Sequence, residues 1–348
     1  MTDTDALVET ARDTIGKGNS DTDWRIVPTE HAELFAKAAP SLARTLRDSR
    51  TIGLAGMYED LNVKATKARD AFKETVGRAD TAVFSTASFG ALLLVAGGFH
   101  ELIGEMGRWL VGAIGVLGVV SSSLATMWLR QVEGGNLAKK WASERAKAEA
   151  KRLAYFKTVM EGASEAAFDQ LLALEYTRRF LLDNQIDYFR DRGGQHEIAA
   201  NLALKRSTQS VFIASTFTGI AGLLSVFLPQ LAMIAGVGVI ASAYAALSVS
   251  RTAVNLDRRN ADRYRAVEDQ LKERRLDLDS FRAKAASGDR KAVQQFFEPV
   301  FVILEADHKA FLDDKEKRES AIGGMEQRLD AAKEALRKDS KVNADNVD

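Results

Sequence analysis

The chain contains no cysteine, and only four prolines and four histidines occur among its 348 residues. Without cysteine it forms no disulfide, carries no thiolate nucleophile and holds no metal through cysteine. The histidines form no paired ligand motif; they are His31, His100, His196 and His308. Since a phosphate-binding loop and a nucleophile elbow are also missing, we expect a protein that is not an enzyme and has no catalytic residue, metal site or cofactor.

Charge is absent from four long apolar segments, although the whole chain has 48 basic and 48 acidic residues. Segments 81–99 and 109–129 form one pair, and segments 208–228 and 231–250 form another. Each has close to the roughly 20 residues that a helix needs to cross a bilayer. The sequence therefore predicts four transmembrane helices in two hairpins. Because no ionisable residue lies inside a predicted span, a proton-coupled pump or transporter is disfavoured.

Outside these segments apolar residues recur at helical spacing and proline is scarce. We therefore predict an all-α membrane protein with long amphipathic, coiled-coil-like cytoplasmic helices. One apolar seam, from Tyr264 to Ala285, advances by three and four residues in turn. This spacing favours packing within one subunit, and a seam between subunits is the alternative.

The chain is expected to divide into four consecutive segments. An N-terminal cytoplasmic segment (1–56) precedes a first hairpin unit (57–187) and a second hairpin unit (188–314), and a charged C-terminal tail (315–348) follows. Both hairpin units contain an approach helix, an apolar hairpin and a polar helix in the same order. This shared plan indicates an internal duplication.

Three further expectations concern local structure. Residues 1–23 are acidic and polar, so we expect them to be disordered. Apolar residues at helical spacing from Met325 to Leu336 predict a solvent-exposed helix in the tail. Pro299 fits only the opening turn of a helix, so a helix is expected to begin close to it.

Basic residues lie at the outer flanks of the hairpins and are nearly absent from their tips. The flanking residues are Lys67, Arg69, Lys73, Arg78, Arg130, Lys139, Lys140, Lys205, Arg206, Arg251, Arg258 and Arg259. Because cytoplasmic flanks carry an excess of Lys and Arg, we expect a multi-pass protein of the inner membrane with both termini in the cytoplasm. Glu101 and Glu105, at the first tip, are candidate outer-mouth residues, and ordinary solvated carboxylates are the alternative.

Small and hydroxyl-bearing residues are frequent in the predicted spans. Small residues let helices approach closely in lipid, and the candidate packing positions are Gly112, Gly115, Gly118 and Gly236. A conducting pore needs polar atoms facing its lumen, and the candidate pore-lining residues are Ser122, Ser123, Thr126, Ser215, Thr218 and Ser242. Hydroxyls also bond along their own helix in bundles that conduct nothing, so both interpretations stay open.

Short motifs in the second half suggest a family. They are Tyr188-Phe-Arg-Asp-Arg192 followed by Gln195, the apolar hairpin, the stretch from Tyr264 to Arg274, and Leu304-Glu-Ala-Asp-His308-Lys-Ala-Phe311. This pattern resembles the SLATT family of two-transmembrane effectors, which accompany bacterial nucleotide second-messenger and ligand-sensing systems. The family pattern has a tryptophan near the position of Phe311, and here this chain departs from it.

The first half carries a similar post-hairpin helix, Trp141-Ala-Ser-Glu-Arg145 followed by Glu149 and Tyr155. The chain therefore resembles a duplicated form of the family. The resemblance implies a membrane effector that oligomerises and forms or opens a pore, disrupting the bacterial inner membrane in anti-phage defence.

The expected partners are the lipid bilayer, further copies of the chain, and either a nucleotide or oligonucleotide signal or a partner protein acting on the cytoplasmic helices. Candidate regulatory residues there are Trp141, Tyr264, Arg258 and Arg259. Two alternatives stay open: a soluble α-helical toxin that inserts to form a pore, and a non-conducting membrane scaffold.

Overall fold

The computed structural model describes residues 3–18, 22–228 and 233–345, and the side chains of all of these except residues 98–103 and 338–345. All regular secondary structure in these ranges is helical, which confirms the all-α prediction. The elements are α1 (Asp3–Ile15), α2 (Pro28–Phe35), α3 (Pro40–Leu46), α4 (Ser49–Ile103), α5 (Glu105–Gly134), α6 (Leu137–Glu161), α7 (Ala167–Thr177), a π-helix (Arg178–Asp183), α8 (Asn184–Ser225), α9 (Ala235–Asn255), α10 (Asp257–Leu276), α11 (Leu278–Ala286), α12 (Ala292–Asp313) and α13 (Lys315–Asp345).

Within the described residues, three helical stretches are long and apolar enough to cross a membrane: Ser49–Gly97, Glu105–Glu161 and Ala235–Leu276. They contain most of the first predicted span, all of the second and most of the fourth. The third predicted span (208–228) lies on α8, which ends at Ser225. The start of the fourth, at residue 231, lies outside the described residues.

The chain folds into two compact units, each assembled from three separate stretches. Unit 1 contains Met1–Ala68, Lys139–His196 and Arg259–Asp314, and unit 2 contains Arg69–Ala138, Glu197–Arg258 and Lys315–Asp348. The predicted segments follow one another along the sequence, whereas these units interleave. The apolar hairpin segments all belong to unit 2.

Helix α7 is at the centre of unit 1, where α1, α3, α11 and α12 contact it. Leu171, Leu172, Leu174 and Tyr176 on this helix are fully buried. Every residue from Gln170 to Thr177 is buried, so this part of the helix is enclosed on all sides. Burial of Ile15 against this core shows why the prediction of a disordered N-terminus was wrong for α1: its apolar residues lie on one side and pack.

The predicted apolar seam also packs within unit 1. Val267 and Leu271 on α10, with Leu278 and Ala285 on α11, are buried in the same core as α7. The seam is interrupted because α10 ends at Leu276 and α11 begins two residues later. These side chains are therefore already covered within a single chain.

Pro299 lies inside α12 rather than in its opening turn, so the predicted helix start was wrong. Proline cannot donate the hydrogen bond that would satisfy the carbonyl four residues earlier, which belongs to Gln295. The guanidinium of Arg274 donates to that carbonyl at 3.0 Å and to the carbonyl of Phe296 at 3.0 Å. A long-range side chain thus replaces the missing backbone donor and lets the helix continue through proline.

In unit 2, α13 packs against α5 and α9. Met325, Leu329, Ala332 and Leu336 are all buried in this contact. The prediction of a solvent-exposed tail helix was therefore wrong for this face, because an apolar groove on distant parts of the chain covers it. The opposite face of α13, with Gln327, Asp330 and Arg337, is exposed.

Candidate functional site

The hydroxyl-bearing residues of α5 form hydrogen bonds along their own helix. Ser122 and Ser123 both donate to the carbonyl of Val119 at 2.9 Å, and Thr126 donates to the carbonyl of Ser122 at 2.9 Å. Ser123 is exposed, and Ser122 and Thr126 are half-buried. Their oxygens therefore need no second partner to be stable in an apolar environment.

The neighbouring Ser121 differs from these three residues. It is buried, and its hydroxyl donates across the hairpin to the carbonyl of Ala82 on α4 at 3.2 Å. This contact joins the two helices of the first hairpin. Ser121 is not among the candidate residues of the sequence analysis, although an interhelical hydrogen bond is a common use of serine in membrane bundles.

The candidate pore-lining residues of the second hairpin, Ser215 and Thr218 on α8 and Ser242 on α9, are exposed. Ser242 lines a cavity of about 360 Å³ between α4, α9 and α13. The structure therefore does not gather the six candidates into one channel within a single chain. A lumen formed by these residues would need several copies.

The candidate packing glycines occupy two different environments. Added Cβ atoms on Gly118 and Gly236 would lie 3.0 Å from Leu336 and 2.4 Å from Val95, so both glycines sit at close helix contacts. Gly112 and Gly115 face open space: beyond their own helix and chain neighbours, no described atom lies within 4 Å of an added Cβ. The open pair is thus available to lipid or to another copy.

Of the two outer-mouth candidates, Glu105 begins α5 and is exposed. The side chain of Glu101 lies outside the described side chains. A carboxylate in the first turn of a helix complements the helix dipole. The position of Glu105 therefore has a structural explanation independent of any pore.

Two of the candidate regulatory residues are linked within unit 1. The rings of Trp141 and Phe311 meet edge-on with centroids 5.2 Å apart. The guanidinium of Arg263 lies 5.9 Å from the Phe311 ring and 5.1 Å from the ring of Tyr264. Helices α6, α10 and α12 therefore meet at one aromatic and cationic cluster.

Arg259 joins this cluster through a shared carboxylate. Arg259 lies 2.6 Å and Arg263 2.9 Å from the two oxygens of Asp314, which is fully buried. Burial lowers the pKa of nearby His308, so this imidazole stays neutral at physiological pH. The fourth candidate, Arg258, belongs to unit 2 and is exposed.

The sequence analysis missed a buried ion-pair cluster around Glu175 on α7. This carboxylate has no exposed surface, and it accepts hydrogen bonds from Arg178 at 2.6 Å and from Arg282 at 2.6 and 3.0 Å. Arg178 opens the π-helix, a rare element that often occurs at functional sites. A Glu and an Arg three residues apart inside an apolar run were the signal that could have found it.

An open cleft of about 940 Å³ lies beside this cluster in unit 1, between α1, the π-helix, α8, α10 and α11. Two basic side chains of its lining are paired with acidic ones: Arg190 lies 2.8 Å from Asp187, and Arg275 lies 3.1 Å from Asp183. Burial raises the pKa of Asp183 despite Arg178 and Arg275. A charged ligand that binds Arg190 or Arg275 would have to break an existing ion pair.

A buried histidine makes the stability of unit 1 depend on pH. His31 is 8% exposed, and its Nδ1 lies 2.8 Å from the hydroxyl of Tyr176, which lies 2.7 Å from that of Tyr155. Burial lowers the pKa of His31 to about 4 from an ordinary 6.5. As the pH falls, the imidazole takes up a proton in the unfolded chain before it does so in the folded chain. The stability that the neutral imidazole allows is therefore complete above pH 6.5 and is lost as the pH falls towards 4.

We therefore expect the unfolding free energy of unit 1 to fall by about 3 kcal/mol between pH 7 and pH 4 because of this residue. Hydrogen exchange of the α7 amides in the full chain, corrected for the intrinsic rate at each pH, measures this change. The variant His31→Gln should flatten the dependence. An equal slope in the variant would show that other groups cause it.

In the described part of the chain, no group of three His, Asp or Glu side chains lies close enough together to hold a metal ion. The structure instead offers charge clusters that hold helices together and apolar helices with open faces.

Comparison with models of known protein families, with curated proteins and with solved structures found no match.

Proposed function

We propose that this chain is a membrane effector that oligomerises and forms or opens a pore in the bacterial inner membrane, as part of anti-phage defence. The observation that carries the proposal is the outer face of α5. Val116 and Val119 there are 64% and 62% exposed in a single chain. Soluble monomers rarely expose large continuous apolar patches, so lipid or another copy must cover this face.

Helix α8 supports a fourth span in the proposed topology. Phe212 and Leu223 are 73% and 68% exposed, and the helix has no charged residue from Thr208 to its end at Ser225. With all four spans inserted, the basic flanks favour a topology with both termini in the cytoplasm. The cluster of Trp141, Phe311 and Arg263 would then lie in the cytoplasm, where a nucleotide signal or partner protein acts.

Oligomer formation through the open face of α5 has a direct test in the variant Gly115→Leu. Beyond its own helix backbone and chain neighbours, no described atom lies within 4 Å of a Cβ added to Gly115. A leucine side chain therefore causes no clash within one chain and adds apolar surface that lipid can cover. We expect the protein to stay in the membrane while the leak of ions from reconstituted vesicles falls about tenfold, equivalent to about 1.4 kcal/mol of lost association.

Gly77→Leu is the matched control. Gly77 also lies in open space by the same measure, but it precedes the first predicted span. This variant should leak like the original chain. Unchanged leak in Gly115→Leu would contradict assembly through this face, and an ion-tight membrane under every condition would favour the scaffold.

The second candidate function is a soluble toxin that inserts on activation, and the buried face of α13 favours it. Leu336 covers Gly90 and Gly118, near the middle of the first two predicted spans. A toxin would be recovered with soluble protein before activation and with membranes afterwards. Recovery with membranes at all times supports the effector.

A further inference from the structure

Helix α13 combines a charged composition with a buried apolar side. It extends over 31 residues, and Ile322, Met325 and Leu329 on it are at most 3% exposed. Such burial of a polar helix in unit 2 means that it covers apolar surface on other helices. The identity of that surface determines what α13 does.

The surface that α13 covers lies halfway along the two predicted spans of the first hairpin. The nearest Leu336 methyl group lies 3.0 Å from an added Cβ on Gly118, and the Leu336 side chain lies 3.8 Å from one on Gly90. These glycines are central in segments 109–129 and 81–99. Helix α13 therefore reaches the depth at which the hairpin would meet the hydrocarbon centre of a bilayer.

Arg328 attaches α13 to the end of α9. Its guanidinium donates to the carbonyl of Ala246 at 2.8 Å, to the hydroxyl of Ser250 at 2.7 Å and to the carbonyl of Gly324 in its own helix at 3.0 Å. Leu336 follows eight residues later, about 12 Å along the helix. The helix thus runs from a polar anchor at the end of the fourth predicted span into the apolar groove.

The outer face of this inserted part remains charged. Asp330 and Arg337 are exposed, and Lys333 is half-buried. Charged side chains are costly in hydrocarbon and normally face water or a water-filled cavity. The packed position of α13 is therefore compatible with water on its outer side and incompatible with lipid there.

An open groove of about 360 Å³ runs beside α13 and is lined on the α13 side by Arg328, Ala331, Ala332 and Ala335. Ala331 and Ala335 are exposed. Alanines bury little apolar area, so these residues contribute less to holding the helix in place than Met325, Leu329 and Leu336 do.

We propose that α13 is an inhibitory helix that occupies the water-facing groove of α4, α5 and α9 and keeps the pore inactive until it is displaced. This inference rests on the proposed pore function. Displacement removes Leu336 from the glycines of the first hairpin and frees a groove that spans the same depth as the apolar segments.

A disulfide between α13 and α4 tests the inhibition in the full chain. Because the chain has no cysteine, Gly90→Cys with Leu336→Cys provides a unique pair. We expect the disulfide to form in vesicles of phosphatidylethanolamine and phosphatidylglycerol. Dye release should rise about tenfold on reduction, since the lock costs the active state about 1.4 kcal/mol or more. Each single-cysteine variant should show no response to reductant.

Leu336→Glu releases the helix without a cross-link, and Gln327→Glu, which adds the same charge on the exposed face, is its control. Leu336→Glu should increase dye release, and a Gly90→Cys reporter should then react faster with a membrane-permeant maleimide. Equal labelling with and without Leu336→Glu, or equal leak from locked and reduced protein, would overturn the inhibition. If labelling responds as expected but every variant is tight to dye, the pore function fails while the covering contact stands.

Discussion

Replacing Glu175 by alanine is expected to destabilise unit 1 by about 3–5 kcal/mol, because it removes the buried carboxylate that two arginines share and leaves Arg178 with Asp183 alone and Arg282 with Asp279 alone. The side chains of Arg178 and Arg282 are each only 10% exposed, and both donate to this carboxylate. Without it, two guanidinium groups stay buried beside α7. Loss of hydrogen-exchange protection along α7 in the full chain measures the effect.

Glu305→Ala is the matched control, since it removes a carboxylate from an exposed pair. Glu305 is 56% exposed and lies 3.3 Å from Lys157. Surface ion pairs contribute about 0–1 kcal/mol, so this variant should stay close to the original stability. A Glu175→Ala variant that is no less stable than the control would show that the cluster does not hold unit 1 together.

The second large effect is expected for Gly238→Val in unit 2. An added Cβ would lie 2.6 Å from the hydroxyl of Thr218 and 3.0 Å from the carbonyl of Ala214. The side chain can rotate away, but the backbone carbonyl of α8 cannot. We expect α8 and α9 to separate, at a cost of about 1–3 kcal/mol or more.

Gly219→Val provides the control for this variant. Gly219 lies on α8, and in the described part of the chain only its own helix and chain neighbours come within 4 Å of an added Cβ. Both variants place a β-branched residue in a helix, so the cost in helix propensity is similar for both and cancels when they are compared. Limited proteolysis of the full chain in detergent should cut Gly238→Val much faster. Equal cleavage of the two variants would contradict a tight contact at Gly238.

The sequence predicted those parts of the fold that depend on local composition. The uncharged runs in α4, α5 and α9 are visible without knowledge of any contact, since length and apolarity alone define them. Segment 208–228 is the exception. Its helix ends at Ser225 and carries Gln209 with several hydroxyl residues, which lower its apolar character.

Long-range contacts were beyond the reach of a local pattern. The spacing of Met325, Leu329 and Leu336 predicts an amphipathic helix, but this spacing does not identify the helices that cover its apolar face. Likewise, nothing near Pro299 reveals that Arg274 supplies the donor that proline lacks. In both cases the partner lies on another helix, far away in sequence.

The sequence marked candidate packing glycines but could not tell their environments apart. Only contacts from α13 and α4 distinguish the packed Gly118 and Gly236 from the open Gly112 and Gly115, and the packing role of the open pair stays a prediction. The pore-lining role of the hydroxyl residues stays a prediction. A single chain shows that their hydrogen bonds on α5 are local.

Because the two units interleave along the sequence, the parts of unit 2 are synthesised at different times. Gly118 leaves the ribosome long before Leu336 exists, and at about 5–20 residues per second the delay is on the order of ten seconds or more. During that interval the first hairpin has no α13 to cover it. The first hairpin is therefore synthesised without its covering helix, and α13 reaches its groove only after translation of the rest of the chain.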